Sequence, residues 1–300
     1  MRAWAGQTAA VPDPTASPAL TEPTASAPAF ASVTRDVVRV WGPDAIGYLQ
    51  GQLSQDVAGL PVGASAWSFV LQPQGKVDAW VRVERTAEDA VSIDVDAGWG
   101  AATKARIERF KLRTKAEVEL EEGVAMVAVR GIALAGGLAA GWPGVAGTDH
   151  RGDQRPDGLP ADAVELDAEA YEALRIAHGV PAMGAELHED TIPAEAGQWV
   201  IDASVSFSKG CYTGQELVAR IDSRGGNVPR RLRTIAGGTS VPAAGAEVQL
   251  GDLVVGTVTS AVAGPDRTMV GLAYVKRAIE VPCEVVIDGG TVQLGRVPGG

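Results

Sequence analysis

The run Lys209-Gly-Cys-Tyr-Thr-Gly-Gln-Glu216 sets one of the chain's two cysteines between glycines, with a lysine two residues upstream. The thiolate is the reactive form of cysteine, and both a nearby cation and a helix N-terminus favour it. Thr213 and Glu216 have the spacing of a capping box, which predicts a short helix through Leu217, Val218 and Ala219. Cys211 would then sit just outside the helix start, accessible and facing an opening between domains. A lone cysteine near a helix start also serves as a small buried apolar residue. The flanking glycines and polar, charged neighbours argue against that use. Cys283, far along the chain, is expected to stay unbonded to Cys211.

Other chemistry-bearing residues are fewer. His150, His178 and His188 are scattered and give no zinc pattern with two remote cysteines, so no metal site is expected. No Walker loop follows a strand, and no Ser-His-Asp arrangement is legible. Two basic clusters stand out: Lys104, Arg106, Arg109, Lys111, Arg113 and Lys115, then Arg220, Arg224, Arg230, Arg231 and Arg233. Each reads as a solvated face or as an electropositive mouth for an anionic ligand.

The cysteine run resembles the signature of the YgfZ folate-binding proteins, relatives of the glycine-cleavage T-protein. Further segments carry the likeness: Gly42-Pro-Asp-Ala45, Tyr48-Leu-Gln-Gly-Gln-Leu-Ser-Gln-Asp56, Gln72-Pro-Gln-Gly-Lys76, Phe110-Lys-Leu-Arg113, Arg175-Ile-Ala-His-Gly-Val-Pro181 and Ile192-Pro-Ala-Glu195. The likeness covers roughly residues 33–295. The resemblance implies an α+β fold: a T-protein-like folate-binding region of two subdomains over 31–228, then a small antiparallel β-barrel over 229–300. It implies tetrahydrofolate or a derivative as ligand, held in a central opening. It also implies a link to iron–sulfur proteins or their assembly machinery, with Cys211 as the active residue and Lys209 beside it. Arg175, Tyr212, Gly214, Gln215, Glu216, Arg220 and Arg224 become the expected folate contacts, the arginines receiving glutamate carboxylates.

Departures from the T-protein pattern bear on mechanism. Where that enzyme has Gly-x-x-Asp-Asp, this chain has Gly75-Lys-Val-Asp-Ala79, which keeps Asp78 and loses the second carboxylate. Ala177 stands where a pterin-holding glutamate is expected, and Asp96 stands in place of an asparagine. These changes argue against aminomethyl transfer of the glycine-cleavage type. One thiol cannot hold an iron–sulfur cluster alone.

The elements that must position these residues follow from pattern. Val33–Val40 reads as a strand. Pro43 suits the first position of a helix carrying Ile46, Leu49 and Leu53. Strands are predicted over 65–72, 77–85 and 90–95, each with one buried and one wetter face. A helix over 99–112 and strands near 115–121 and 124–130 come next. The Gly-, Pro- and Asp-rich stretch 131–160 reads as a flexible insertion, and Asp167 as the N-cap of a helix ending near His178. Short alternating runs over 232–295 read as a barrel.

Residues 1–30 have almost no large apolar side chains and are expected to be disordered. They lack the charged start and apolar stretch of a secretory signal. A net charge of −11 argues against general nucleic-acid binding. No apolar run reaches the ~18 residues of a membrane span, and two cysteines without a framework suit a reducing cytoplasm. Three functions fit: a folate-dependent accessory protein for iron–sulfur cluster assembly or repair; a one-carbon transferase with Asp78 as acid or base; or a folate-binding regulator of a tRNA-modifying enzyme.

Overall fold

The computed structural model of the chain describes residues 27–264 and 266–299. Most of the tail reading therefore lies outside the described residues, but Ala29 and Phe30 already belong to the first strand. That strand, β1 (Ala29–Trp41), is the spine of the N-terminal sheet and pairs antiparallel with β4 (Ala90–Asp96) and β5 (Glu117–Arg130). The sheet continues through β3 (Val77–Ala87) to β2 (Ser65–Leu71) on one side. On the other, β5 pairs with β7 (Gly147–Arg151), and β7 with β6 (Leu138–Ala139). A short parallel strand, β8 (Val164–Glu165), joins the start of β1.

Two expectations change here. The stretch read as two strands forms one, Glu117–Arg130, whose register slips at Arg35/Val37 of β1. The stretch read as an insertion supplies β6 and β7, an edge of the sheet. Its glycines explain the misreading: a Cβ on Gly147 would lie 2.5 Å from the Val129 carbonyl, so glycine there permits close pairing and does not mark a loop.

Among the described residues five α-helices pack around the sheet: α1 (Ala45–Gln52), α2 (Gly100–Glu108), α3 (Ala168–Ala177), α4 (Gln198–Ser204) and α5 (Gln215–Asp222). Pro43 precedes α1 by two residues instead of opening it. Asp167 caps α3 as expected, its carboxylate accepting from Ala170 N at 2.8 Å. The start of α2 is fixed from β1: the buried Asp36 accepts from the main-chain nitrogens of Gly98, Gly100 and Gly123 at 2.8 to 3.0 Å. Burial opposes its ionisation, but those three donors outweigh burial and hold its carboxyl below the usual range.

The C-terminal strands β9 (Arg230–Ala236), β10 (Glu247–Leu250), β11 (Leu253–Ala263), β12 (Met269–Lys276), β13 (Cys283–Ile287) and β14 (Gly290–Arg296) close a barrel in the order β10-β11-β12-β9-β14-β13. Val248, Val258, Met269, Ala273, Val285 and Leu294 fill its interior. Leu232, Leu272 and Tyr274 on its outer face pack on Ile176 of α3. A polar clamp reinforces that seam. Glu186 is fully buried, and its carboxylate accepts from Thr259 Oγ1 (2.8 Å), Ser260 Oγ (2.6 Å), Ala182 N (3.0 Å) and Arg175 Nη1 (3.1 Å). Tyr274 donates its hydroxyl to the Glu186 carbonyl at 3.0 Å. Every lone pair the barrel buries here has a donor, as a buried charge requires.

Candidate functional site

Strand register collects one set of side chains on the concave face of the sheet. Arg82 lies opposite both Trp67 and Asp94, Phe69 opposite Trp80, and Arg35 opposite Asp96. One wetter face was expected for each strand, but on β3 the residues between the alternating valines are dry as well: Arg82 is 1% exposed and Trp80 3%. The face is dry because α3, Trp142 and the segment 180–182 cover it, around a cavity of about 240 Å³. Trp67, Trp80, Trp142 and Tyr171 wall the cavity, with Arg35, Arg130, Arg175, Asp96, Asp149 and Glu172 among its polar lining.

The tryptophans are held rigidly. Trp67 and Trp80 stack with centroids 4.0 Å apart. Their ring nitrogens donate to the Ala140 carbonyl and to Ser204 Oγ, each at 2.9 Å. The charges form a chain. Asp94 receives Arg35 (2.8 Å) and Arg82 (3.0 Å), while Asp149 receives Arg82 (2.6 Å) and Arg130 (2.7 Å). Burial disfavours an ionised Asp149, yet Arg130 and Arg82 prevail and hold its carboxyl at about 2. Burial, opposed by Arg130, pushes the Tyr171 hydroxyl up to about 12. Two donors in this network stay open: Arg35 Nη2 and Arg130 Nε are buried without a hydrogen-bond partner among the described residues. Arg130 is 3% exposed and lies 4.1 Å above the Trp142 ring. An unanswered buried N–H costs ~1–3 kcal/mol, and Arg35 and Arg130 both border the cavity.

Of the sequence-predicted folate contacts, Arg175 lines this cavity. Ala177 is exposed and is not part of the lining; the carboxylate on α3 that is part of it is Glu172. Glu172 accepts both Arg175 Nε (2.8 Å) and Arg175 Nη2 (2.6 Å). The sequence signal for it was available, since residues 172 and 175 are one helical turn apart.

The cysteine run lies elsewhere. Tyr212, Gly214, Gln215, Glu216, Arg220 and Arg224 line none of the described cavities. Cys211 is exposed, and neither it nor Cys283 is disulfide-bonded. The capping box is not formed: the N-cap of α5 is Gly214 in the left-handed region, without a side-chain cap. Thr213 instead binds Gly51, its N–H donating to the carbonyl at 3.1 Å. Gln215 folds back to accept from Tyr212 N at 3.2 Å. Lys209 does not reach the thiol. Its ammonium donates to the carbonyls of Gln50 (2.6 Å), Leu53 (2.6 Å) and Gln55 (2.9 Å), where α1 ends. A cation at a helix C-terminus is well placed, although burial pulls the Lys209 amine down to about 8.

Asp78 lies in a second, more open cavity of about 650 Å³ with Trp99, Arg106, Arg109 and His188. It pairs with Arg106 at 2.8 Å. Arg106 also donates to Gln52 Oε1 (3.2 Å) and the Leu71 carbonyl (2.7 Å). Asp78 and the cysteine run are thus anchored to the same two segments, the end of α1 and the end of β2, but Asp78 does not line the aromatic cavity. Among the described residues no group of three or more His, Cys, Asp or Glu side chains is placed to hold a metal, and no helix is long and apolar enough to cross a membrane.

No family model matches the chain. The solved structure of glycine cleavage system aminomethyltransferase T from Bartonella henselae is similar to it with a TM-score of 0.71, over 91% of this chain and 86% of that one, at 20% identity. The fold is therefore T-protein-like. In sequence the chain is 28% identical over 295 residues to the tRNA-modifying protein YgfZ of Serratia proteamaculans, covering 87% of this chain and 88% of that protein. It is also 28% identical over 265 residues to the tRNA-modifying protein YgfZ of Yersinia pseudotuberculosis, covering 78% and 79%. The chain is thus similar in sequence to YgfZ proteins over most of its length and has a T-protein-like fold.

Proposed function

We propose that the chain is a folate-dependent accessory protein that binds a reduced folate in the aromatic cavity and acts through Cys211 in maintaining iron–sulfur enzymes. The observation that carries the folate half is the pair of open donors, Arg35 Nη2 and Arg130 Nε, beside stacked tryptophans. A flat heterocycle with carbonyl and ring-nitrogen acceptors suits both. Glu172 adds a carboxylate for the amino and amide donors of a pterin. The volume of about 240 Å³ is below the ~300–1,000 Å³ of sites that enclose drug-sized ligands. It suits the bicyclic head alone, with the glutamate tail outside.

When bound, the folate would supply one-carbon carriage or a ligand-dependent signal. The residues of the chain orient its head group and exclude water. Asp78 gives little support to the transferase reading, because its carboxylate is committed to Arg106 outside the aromatic cavity. The name of the YgfZ relatives favours a client in tRNA modification, and an iron–sulfur enzyme of that kind would unite the accessory and regulatory readings.

Calorimetry with tetrahydrofolate tests the ligand: binding with quenched tryptophan fluorescence is expected, and no heat at millimolar ligand refutes it. Complementation with Cys211→Ala, scored on an iron–sulfur enzyme, tests the thiol: unimpaired activity refutes its role.

A further inference from the structure

The alternation of β9 divides its side chains between two surroundings. Leu232 faces α3, while Ile235 faces the barrel interior. Arg231 and Arg233 share the side of Ile235. On β14, Arg296 lies directly opposite Arg233, and Leu294 opposite Ile235; on β13, Cys283 lies opposite Leu294. Register therefore gathers Arg231, Arg233, Arg296 and Cys283 at one end of the barrel, above the layer closed by Ile235 and Leu294, which are 1% and 0% exposed.

Like charges directly opposite one another destabilise a sheet. By contrast Arg82, Arg130, Arg175 and Arg230 pair with carboxylates. At the rim none of the three arginines lies within 4.0 Å of a carboxylate of the described residues. Arg231 donates to the Gly226 carbonyl at 3.0 Å. The side chains of Arg233 and Arg296 have no hydrogen-bond partner among the described residues. The charged groups acting on Arg233 are Arg231 and Arg296, with the Cys283 thiol beside them. Burial, then the two arginines, holds the Arg233 guanidinium below its ordinary range. Burial pushes the Cys283 thiol up, so it stays neutral and supplies no counter-charge.

We propose that the rim formed by Arg231, Arg233 and Arg296 binds a phosphate-bearing anion. Guanidinium groups match phosphate oxygens in bidentate geometry. Three of them at one place call for a multiply charged partner. A phosphate monoester brings ~−1.5 to −2, against −1 from a carboxylate. The phosphate can come from a small phosphorylated molecule or from an RNA backbone. The rim shares no residue with the aromatic cavity, so this proposal and the folate reading stand or fall separately.

The test is thermal unfolding of the full chain at fixed ionic strength, with phosphate exchanged for chloride. Wild type should melt several degrees higher in 20–50 mM phosphate, by mass action on the folded state. Arg233→Gln should melt at the wild-type temperature or above it in chloride, because repulsion is relieved, and should bind phosphate at least tenfold more weakly. Arg296→Gln, at an exposed position, should weaken binding without any cost in chloride. Arg113→Gln, in the other basic cluster, should change nothing. No rise in wild type, an equal rise in Arg233→Gln, or a several-degree loss for both rim variants in chloride would overturn the proposal.

Titration with inorganic phosphate, a mononucleotide and a short single-stranded RNA then identifies the source. Tighter RNA binding, with a salt slope that shrinks by ~2 when all three arginines become glutamine, assigns the RNA backbone. Equal or tighter binding of the small molecules assigns a phosphorylated metabolite.

Discussion

Gly75 and Gly214 meet backbone to backbone. A Cβ on Gly214 would lie 3.1 Å from the Gly75 Cα and 2.5 Å from the Gln72 carbonyl; one on Gly75 would lie 2.9 Å from the Gly214 carbonyl. Both residues have positive φ, 84° and 83°. The turn after β2 and the start of α5 can approach this closely only without side chains. Gly214→Ala and Gly75→Ala should each cost ~1–3 kcal/mol in urea unfolding. The double variant should cost less than the sum, because both relieve one contact. Additive losses would show that the two glycines act independently.

Lys209 is the second fastening of the cysteine run. Lys209→Met removes a charged donor from three carbonyls and should cost ~2–3 kcal/mol. It should also accelerate proteolysis near Cys211. A loss below ~0.5 kcal/mol would mean that water replaces the ammonium freely.

Acid stability should report the buried ion chain. The folded Asp149 carboxyl, near 2, lies below its ordinary 3.8. Its stabilisation is complete above pH ~4 and is lost as pH falls through about 2. The shift corresponds to ~2 kcal/mol. Urea unfolding between pH 5 and 2 should therefore be steeper in wild type than in Asp149→Asn, which is already weakened at pH 5. Parallel pH profiles would remove Asp149 from that role.

Glu172→Gln separates ligand from fold. Glu172 is partly exposed, with 39% of its side chain accessible, so the unfolding free energy should fall by no more than ~1 kcal/mol. Tetrahydrofolate affinity should fall about tenfold, the loss of one charged hydrogen bond. Unchanged affinity would take Glu172 out of the site.

Cys211→Ser should leave both unfolding and folate binding unaltered, because the thiol is exposed and lies outside the aromatic cavity. Alkylation by iodoacetamide should fall to the rate of the half-buried Cys283. A large loss of stability would show that Cys211 packs instead of reacting.

What could be read beforehand divides along physical lines. β2, β3 and β4 were legible because apolar residues alternate and turns punctuate them. Their second face was misjudged: Arg82 and Asp94 look solvent-facing in isolation and are dry because they answer each other. β6 and β7 were hidden by glycines that serve close pairing, and with them went Asp149, the centre of the ion chain. α4 carries Trp199, Val200 and Ile201 in succession, all buried, so it has no single apolar stripe to reveal it. The cysteine run was found by its residue types. Its distance from the aromatic cavity depends on long-range packing on α1, which no local pattern encodes.

The clamp at Glu186 has a consequence for recombining this fold. Its carboxylate draws two donors from β11 and two, Arg175 and Ala182, from the cavity wall, so the barrel and the cavity are halves of a single polar inventory. A chimera that takes β9–β14 from a relative without hydroxyls at the places of Thr259 and Ser260 would strand a buried anion at the seam. Grafting the barrel without those hydroxyls would unsettle Arg175, and with it the pocket wall, before any cavity residue had been changed.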